Sequence, residues 1–166
     1  MIRLSYMKIL DSFLSLFKAP LSKGISRPSN GYHFSTINKS LTLRHVDVGS
    51  CNGCEIEIAS AFNPIYDAGR FGVALTASPR HADGLLVTGV VTQNMVDPLI
   101  KTFDATPNPK IVIACGDCAI SGNLFKNGYG VKGPVSEVLN VDVSIMGCPP
   151  HPIDIVDTLR AIADPK

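Results

Sequence analysis

Cys51-Asn52-Gly53-Cys54 offers two thiol ligands from one turn, and Cys118 and Cys148 can add two more from distant parts of the chain. Two intervening residues let both sulfurs of a Cys-x-x-Cys pair point at one place, and Asn and Gly are turn formers. Thiolate selects zinc or iron–sulfur clusters, and four cysteines without a clustered histidine fit an all-cysteine zinc site or a cubane cluster. Structural zinc sites usually pair two closely spaced Cys-x-x-Cys knuckles, whereas the third and fourth cysteines here stand alone and far apart. A zinc-stabilised domain, or a dithiol pair in which Cys51 and Cys54 exchange electrons directly, is the other reading of the motif. Cys115 makes a second Cys-x-x-Cys with Cys118 by spacing, but it ends the apolar run Ile111 to Ala114. A free cysteine in such a place behaves as a small hydrophobe.

The elements that must position these thiols alternate. Leu41 to Val48 is apolar at alternate positions and ends at Gly49, as a strand feeding the cysteine loop would; Glu55 to Phe62 reads as a short helix stopped by Asn63-Pro64. Phe71 to Ala77, Gly84 to Val91, Lys110 to Ala114 and Val141 to Met146 are apolar runs of strand length, typical of parallel strands covered on both faces. Helices are expected from about Gln93 to Phe103 and from Pro152 to Ala163. This alternation predicts an α/β, doubly wound, flavodoxin-like parallel sheet with helices on both faces, plus an N-terminal helical extension. Cys51, Cys118 and Cys148 each follow a predicted strand end closely, which puts them at the edge where open α/β sheets bind ligands. Gly49, Gly53, Gly116, Gly122 and Gly147 cluster at the same places, as they should where backbone approaches a cluster.

Of 166 residues, 45% are hydrophobic and only 17% charged, with a net charge of +1. That balance gives no electrostatic case for binding nucleic acid and points to buried subunit interfaces. Five cysteines is an odd number without disulfide-scaffold spacing, which favours ligand thiols in a reducing compartment. No apolar run approaches the roughly 18 residues of a membrane span. Residues 1–18 place Ile2, Tyr6, Ile9, Leu10, Phe13 and Phe17 on one helical face. Lys8, Asp11 and three serines break the apolar core that a signal peptide needs. Residues 1–40 therefore read as an amphipathic helix and linker, docking on a partner, on the domain or on a membrane surface, and residues 41–166 as the α/β domain.

The segments CNGCEIE (51 to 57), SPRHAD (78 to 83), GDCAISGN (116 to 123) and GCPPHP (147 to 152) together resemble the small, cluster-bearing subunit of membrane-bound, energy-converting nickel–iron hydrogenases. The same pattern is shared by the homologous subunit of respiratory complex I, in which the first cysteines resemble an adjacent pair. The spacing Cys51-x-x-Cys54 is closer to the hydrogenase side. Asn123 stands where the GxCxxxGG segment of that family commonly has a second glycine. The resemblance implies that Cys51, Cys54, Cys118 and Cys148 hold one 4Fe–4S cluster, with Cys115 left as core. It also implies a nickel–iron large subunit that carries the catalytic site, a ferredoxin-like iron–sulfur subunit, and integral membrane subunits. The protein would sit peripherally at the cytoplasmic face of the cell membrane and pass electrons between ferredoxin-type clusters and the nickel–iron site. A complex I-like quinone- or sulfur-reducing oxidoreductase is the alternative. Glu57, three residues after Cys54 and so on its helical face, is the expected proton relay, while Glu55 is expected to point away. Arg80 and His81 could donate hydrogen bonds to cluster sulfur, or Arg80 could pair with Asp83 or a partner. His45 and His151 read as satisfied polar residues rather than ligands.

Overall fold

A computed structural model describes residues 40–164. The predicted N-terminal helix and most of its linker lie outside the described residues. The strands are β1 Leu41–Asp47, β2 Val73–Leu75, β3 Gly84–Thr88, β4 Val91–Thr92, β5 Ile111–Cys115, β6 Val131–Gly133 and β7 Val143–Ile145. The helices are α1 Gly53–Ala61, α2 Val96–Ala105, α3 Asp117–Ser121 and α4 Pro152–Ala163. The main sheet has five strands in the order β2-β1-β3-β5-β7, and every pairing in it is parallel. This is the doubly wound, flavodoxin-like order that the alternation predicts.

Alternation along the strands sends successive side chains to opposite faces. Leu41, Leu43, Leu86, Ile111, Ile113, Cys115, Val143 and Ile145 pack against Ile58 and Ala61 of α1 and Ile155, Leu159 and Ile162 of α4. Val46, Leu85, Val87, Val112 and Ala114 face the other way, onto Leu99 of α2 and Ala119 of α3. Both faces of β3 and β5 are fully buried, which is why these segments are continuously apolar. A residue such as Leu86, at 0% exposure, contributes roughly 1.5–3 kcal/mol through burial, and truncating it to alanine would cost about 2–5 kcal/mol.

The predicted run Gly84 to Val91 is not one strand. Gly89 takes φ +82, and a Cβ there would stand 2.4 Å from the Ser50 amide nitrogen, so the chain turns under the loop that follows β1. Beyond the turn, β4 pairs antiparallel with β6 in a separate two-stranded sheet. The run Phe71 to Ala77 opens with the end of a 3-10 turn, Ala68–Phe71, before β2. The helix expected from Gln93 likewise opens with a 3-10 turn, Gln93–Met95. At α4 the predicted bounds hold, with Pro152 in the first turn and His151 as N-cap, its Nδ1 accepting from the Ile153 amide at 3.3 Å.

Candidate metal centre

Three loops leave the carboxyl edge of the sheet, after β1, β5 and β7, and each carries a predicted ligand. The first is shaped by Asp47, whose Oδ1 accepts from the Gly49 and Ser50 amides, both at 2.8 Å. Ser50 Oγ accepts from the Asn52 amide at 3.1 Å. The Val48 carbonyl accepts from the Thr92 amide and hydroxyl at 2.9 and 3.2 Å, which pins the loop to β4. Asn52 then takes φ +69 and α1 begins, leaving Cys51 exposed and Cys54 buried in the first turn.

The second and third loops are fastened together. The Gly116 amide donates to the Ile145 carbonyl at 2.8 Å and the Asp117 amide to the Gly147 carbonyl at 2.9 Å. Asp117 Oδ1 accepts from the Gly147 amide at 2.8 Å. These bonds fix Cys118, half-buried, relative to Cys148, exposed. The first loop meets the other two at Gly116. Its φ of +92 and ψ of 154 belong to a region essentially reserved for glycine, and a Cβ there would stand 2.5 Å from Cys54 Sγ. A Cβ on Gly53 would lie 3.5 Å from Cys51 Sγ and 3.8 Å from Pro149 Cβ, so the residue after Cys148 rests against the Cys51–Cys54 turn.

The electrostatics separate Cys115 from Cys54 and Cys118. The Cys115 thiol hydrogen-bonds to Cys54, which pushes Cys115 far above the usual thiol range, with burial adding to the effect. The same bond draws Cys54 below that range against the opposing effect of burial. In this pair the Cys115 thiol donates and the Cys54 sulfur accepts. Cys118 is pushed up by burial first, and then by the negative charge of Cys148, Cys51 and Cys54. A Cys118 thiolate facing three other sulfurs calls for positive charge beside it, which a thiophilic metal supplies.

Among the described residues, no three His, Cys, Asp or Glu side chains stand close enough together to hold one ion. A tetrahedral zinc with Zn–S near 2.3 Å would need its sulfurs about 3.8 Å apart. With four sulfurs, the space left at Gly116 and no histidine among them, the residues present fit a 4Fe–4S group.

Other predicted residues are placed differently. Glu57 is half-buried on α1 and makes no hydrogen bond or ion pair among the described residues. Glu55, expected to point away, is turned inward. Both of its carboxyl oxygens are buried without a hydrogen-bond partner, and Oε1 lies 3.6 Å from His45 Nε2, ion-pair range but too long for a hydrogen bond. His45 Nε2 is itself bonded to the Thr88 hydroxyl at 2.9 Å. Burial pushes His45 down, opposed by the Glu55 and Asp47 charges. Arg80 and His81 do not come to the site: their 3-10 turn, Pro79–His81, precedes β3, whereas the cysteine loops follow their strands. The five residues of β3 put roughly 16 Å between those edges. Nor does Arg80 pair with Asp83, whose Oδ2 accepts from the Thr42 amide at 2.7 Å. His151 caps α4 and packs edge-on against Tyr66, ring centroids 5.9 Å apart. Asp47, Asp117 and Asn123 were not singled out by sequence as shaping the site. An aspartate between Gly116 and Cys118, and another ending β1, are the signals that were present.

The model of the family described as NADH ubiquinone oxidoreductase, 20 kDa subunit, matches residues 51–162. The chain is 49% identical over 116 residues to the probable membrane-bound hydrogenase subunit mbhJ of Pyrococcus furiosus, covering 70% of each chain. It is 43% identical over 143 residues to formate hydrogenlyase subunit 7 of Escherichia coli, covering 86% of this chain and 51% of that one. Among solved structures, a chain of the membrane-bound sulfane sulfur reductase, an archaeal respiratory membrane complex, matches with a TM-score of 0.66 at 32% identity, covering 78% of this chain and 74% of that one. These relatives are subunits of oxidoreductase complexes. The chain belongs to the family of the 20 kDa subunit of NADH ubiquinone oxidoreductase.

Proposed function

We propose that this protein is an electron-transfer subunit of a membrane-bound hydrogenase complex, carrying one 4Fe–4S cluster on Cys51, Cys54, Cys118 and Cys148. The reading rests on the meeting of three post-strand loops at Gly116, where Cys54 Sγ comes so close that a Cβ would stand 2.5 Å from it. Bound there, a 4Fe–4S cluster supplies reversible one-electron transfer. The chain's own residues do the positioning. Asp47 and Asp117 hold the loops, Gly116 leaves room for the Cys54 sulfur, and the Cys115 thiol donates to that sulfur. Exposed Cys51 and Cys148 bring the group to the surface, where a partner's redox centre can approach.

Ile56, Leu124, Phe125 and Met146, all near the cysteine loops in sequence, are large and exposed. Together with the low charge of the chain they suit a partner surface, which we assign to a nickel–iron large subunit. Glu57 is assigned the proton relay toward that subunit, since its carboxylate has no partner within the described residues. A ferredoxin-like subunit would deliver electrons, and integral membrane subunits would hold the assembly at the cytoplasmic face of the cell membrane. No helix among the described residues is long and apolar enough to cross a membrane. The likeness to the sulfane sulfur reductase chain favours one second reading, the equivalent subunit of a sulfur-reducing complex.

Anaerobic purification tests the proposal. A brown protein with about four iron atoms per chain, and an EPR signal on reduction, is expected. A colourless protein holding zinc, or no metal, contradicts it. Hydrogen evolution against sulfane-sulfur reduction by the assembled complex separates the two readings.

A further inference from the structure

We infer that Asn123 is a redox-tuning residue whose side-chain amide donates to the Cys148 sulfur and raises the reduction potential of the group bound there. The inference rests on the cluster assignment above. Asn123 Nδ2 stands 3.8 Å from Cys148 Sγ, within reach of a sulfur acceptor. It is the side-chain N–H group that meets one of the four ligand sulfurs among the described residues. A thiolate is electron-rich, so it is the NH2 end of the amide, not its oxygen, that faces the sulfur favourably.

The backbone around Asn123 aims this contact. α3 is closed by the Gly122 amide donating to the Cys118 carbonyl at 2.9 Å, and Gly122 takes φ +81. Asn123 follows at φ +40, a left-handed conformation that glycine and asparagine adopt more readily than other residues. Its amide is held by Ser121 Oγ at 3.3 Å, and the Phe125 amide turns back to the Gly122 carbonyl at 3.0 Å. Two left-handed residues in succession thus reverse the chain and bring a side chain from the Cys118 loop to the sulfur of the Cys148 loop, 25 residues away. Glycine would satisfy the same backbone; asparagine adds a donor directed at a ligand.

The sign of the effect follows from charge. Reduction adds one electron to the cluster and its thiolates, and an N–H donor stabilises the more negative state more than the less negative one. Removing the donor lowers the potential. Replacing it with a carboxylate lowers the potential further, because a like charge then faces the sulfur. Water entering beside a glycine at this exposed position rotates freely and replaces a fixed amide only in part.

The test compares the full chain, purified anaerobically with its cluster, as wild type, Asn123→Gly and Asn123→Asp. Iron content and an EPR-monitored redox titration are read for each. Both substitutions tolerate the left-handed backbone, so folding and cluster loading are preserved. The expected order of midpoint potentials is wild type highest, Asn123→Gly lower and Asn123→Asp lowest, at equal iron content. A merely structural role would change iron content or stability and leave the midpoint where it was. An Asn123→Gly midpoint equal to or above that of wild type overturns the inference while leaving the cluster assignment standing. A wild-type chain without iron overturns the assignment itself, and this inference with it.

Discussion

Cys51–Cys54 and Cys115–Cys118 share a spacing and differ in what precedes them. The first pair lies wholly beyond the end of β1, in a turn folded around the Asp47 carboxylate, so both sulfurs are available at the sheet edge. The second pair straddles a strand end. Cys115 is the last residue of β5 and is 0% exposed; strand alternation sends its side chain to the face packed by α1. There it meets Cys54 and serves as a hydrogen-bond donor. Only Cys118, beyond Gly116, is carried into the loop. A Cys-x-x-Cys spacing carries both residues past the sheet edge when both lie in one turn, and only one when a strand ends between them.

The substitution expected to disturb this arrangement most is Gly116→Ala. It forces a side chain into φ +92 and toward Cys54 Sγ. Backbone strain of about 1–3 kcal/mol would combine with displacement of a ligand, and iron content should fall to a small fraction of wild type. Unchanged iron would mean that the loops meet elsewhere.

Asp117→Ala comes next, since it leaves the Gly147 amide without its acceptor and loosens Cys118 from Cys148. We expect a loss of about 1–3 kcal/mol in denaturant unfolding and faster iron loss, with Asp117→Asn largely restored because Oδ1 remains an acceptor. Glu57→Gln should keep iron and EPR signal intact while slowing hydrogen evolution by at least about tenfold. Equal turnover across pH would return Glu57 to an ordinary helix carboxylate.

The smallest effect concerns His45, which burial holds below its ordinary value of 6.5. As pH falls through that value the unfolded chain takes up the proton before the folded one. His45 therefore has no effect on stability above this range and lowers stability as pH drops toward its folded-state value. His45→Gln should reduce the difference between denaturant midpoints at about pH 7.5 and about pH 5.5, and an undiminished difference would assign the pH dependence to other groups.

Much of this was legible because parallel strands buried on both faces must be continuously apolar, as in Ile111 to Cys115. The helix Pro152–Ala163 announces itself by a proline in its first turn. The break at Gly89 was not legible, since Val90 and Val91 continue the apolar run and only the approach of Ser50 forces the turn. α3 spans five residues, too few for a periodic pattern. Arg80 and His81 sit in one of the four segments that carry the sequence resemblance, but strand direction, not motif, decides which sheet edge they occupy. Glu55 turns inward although it is the neighbour of Cys54. Consecutive helical residues are only about 100° apart, and Glu55 is three residues from buried Ile58, on the side facing His45.

The central claim, that Cys118 and not Cys115 joins Cys51, Cys54 and Cys148 around one cluster, is tested most directly by iron content and low-temperature EPR of two serine variants. Cys115→Ser should keep the iron and the signal, because a hydroxyl can replace the buried donor to Cys54 at a cost of about 1 kcal/mol. Cys118→Ser should lose or convert the cluster, because serine is a poor substitute for a thiolate ligand. Loss of the cluster in Cys115→Ser with retention in Cys118→Ser would contradict the account.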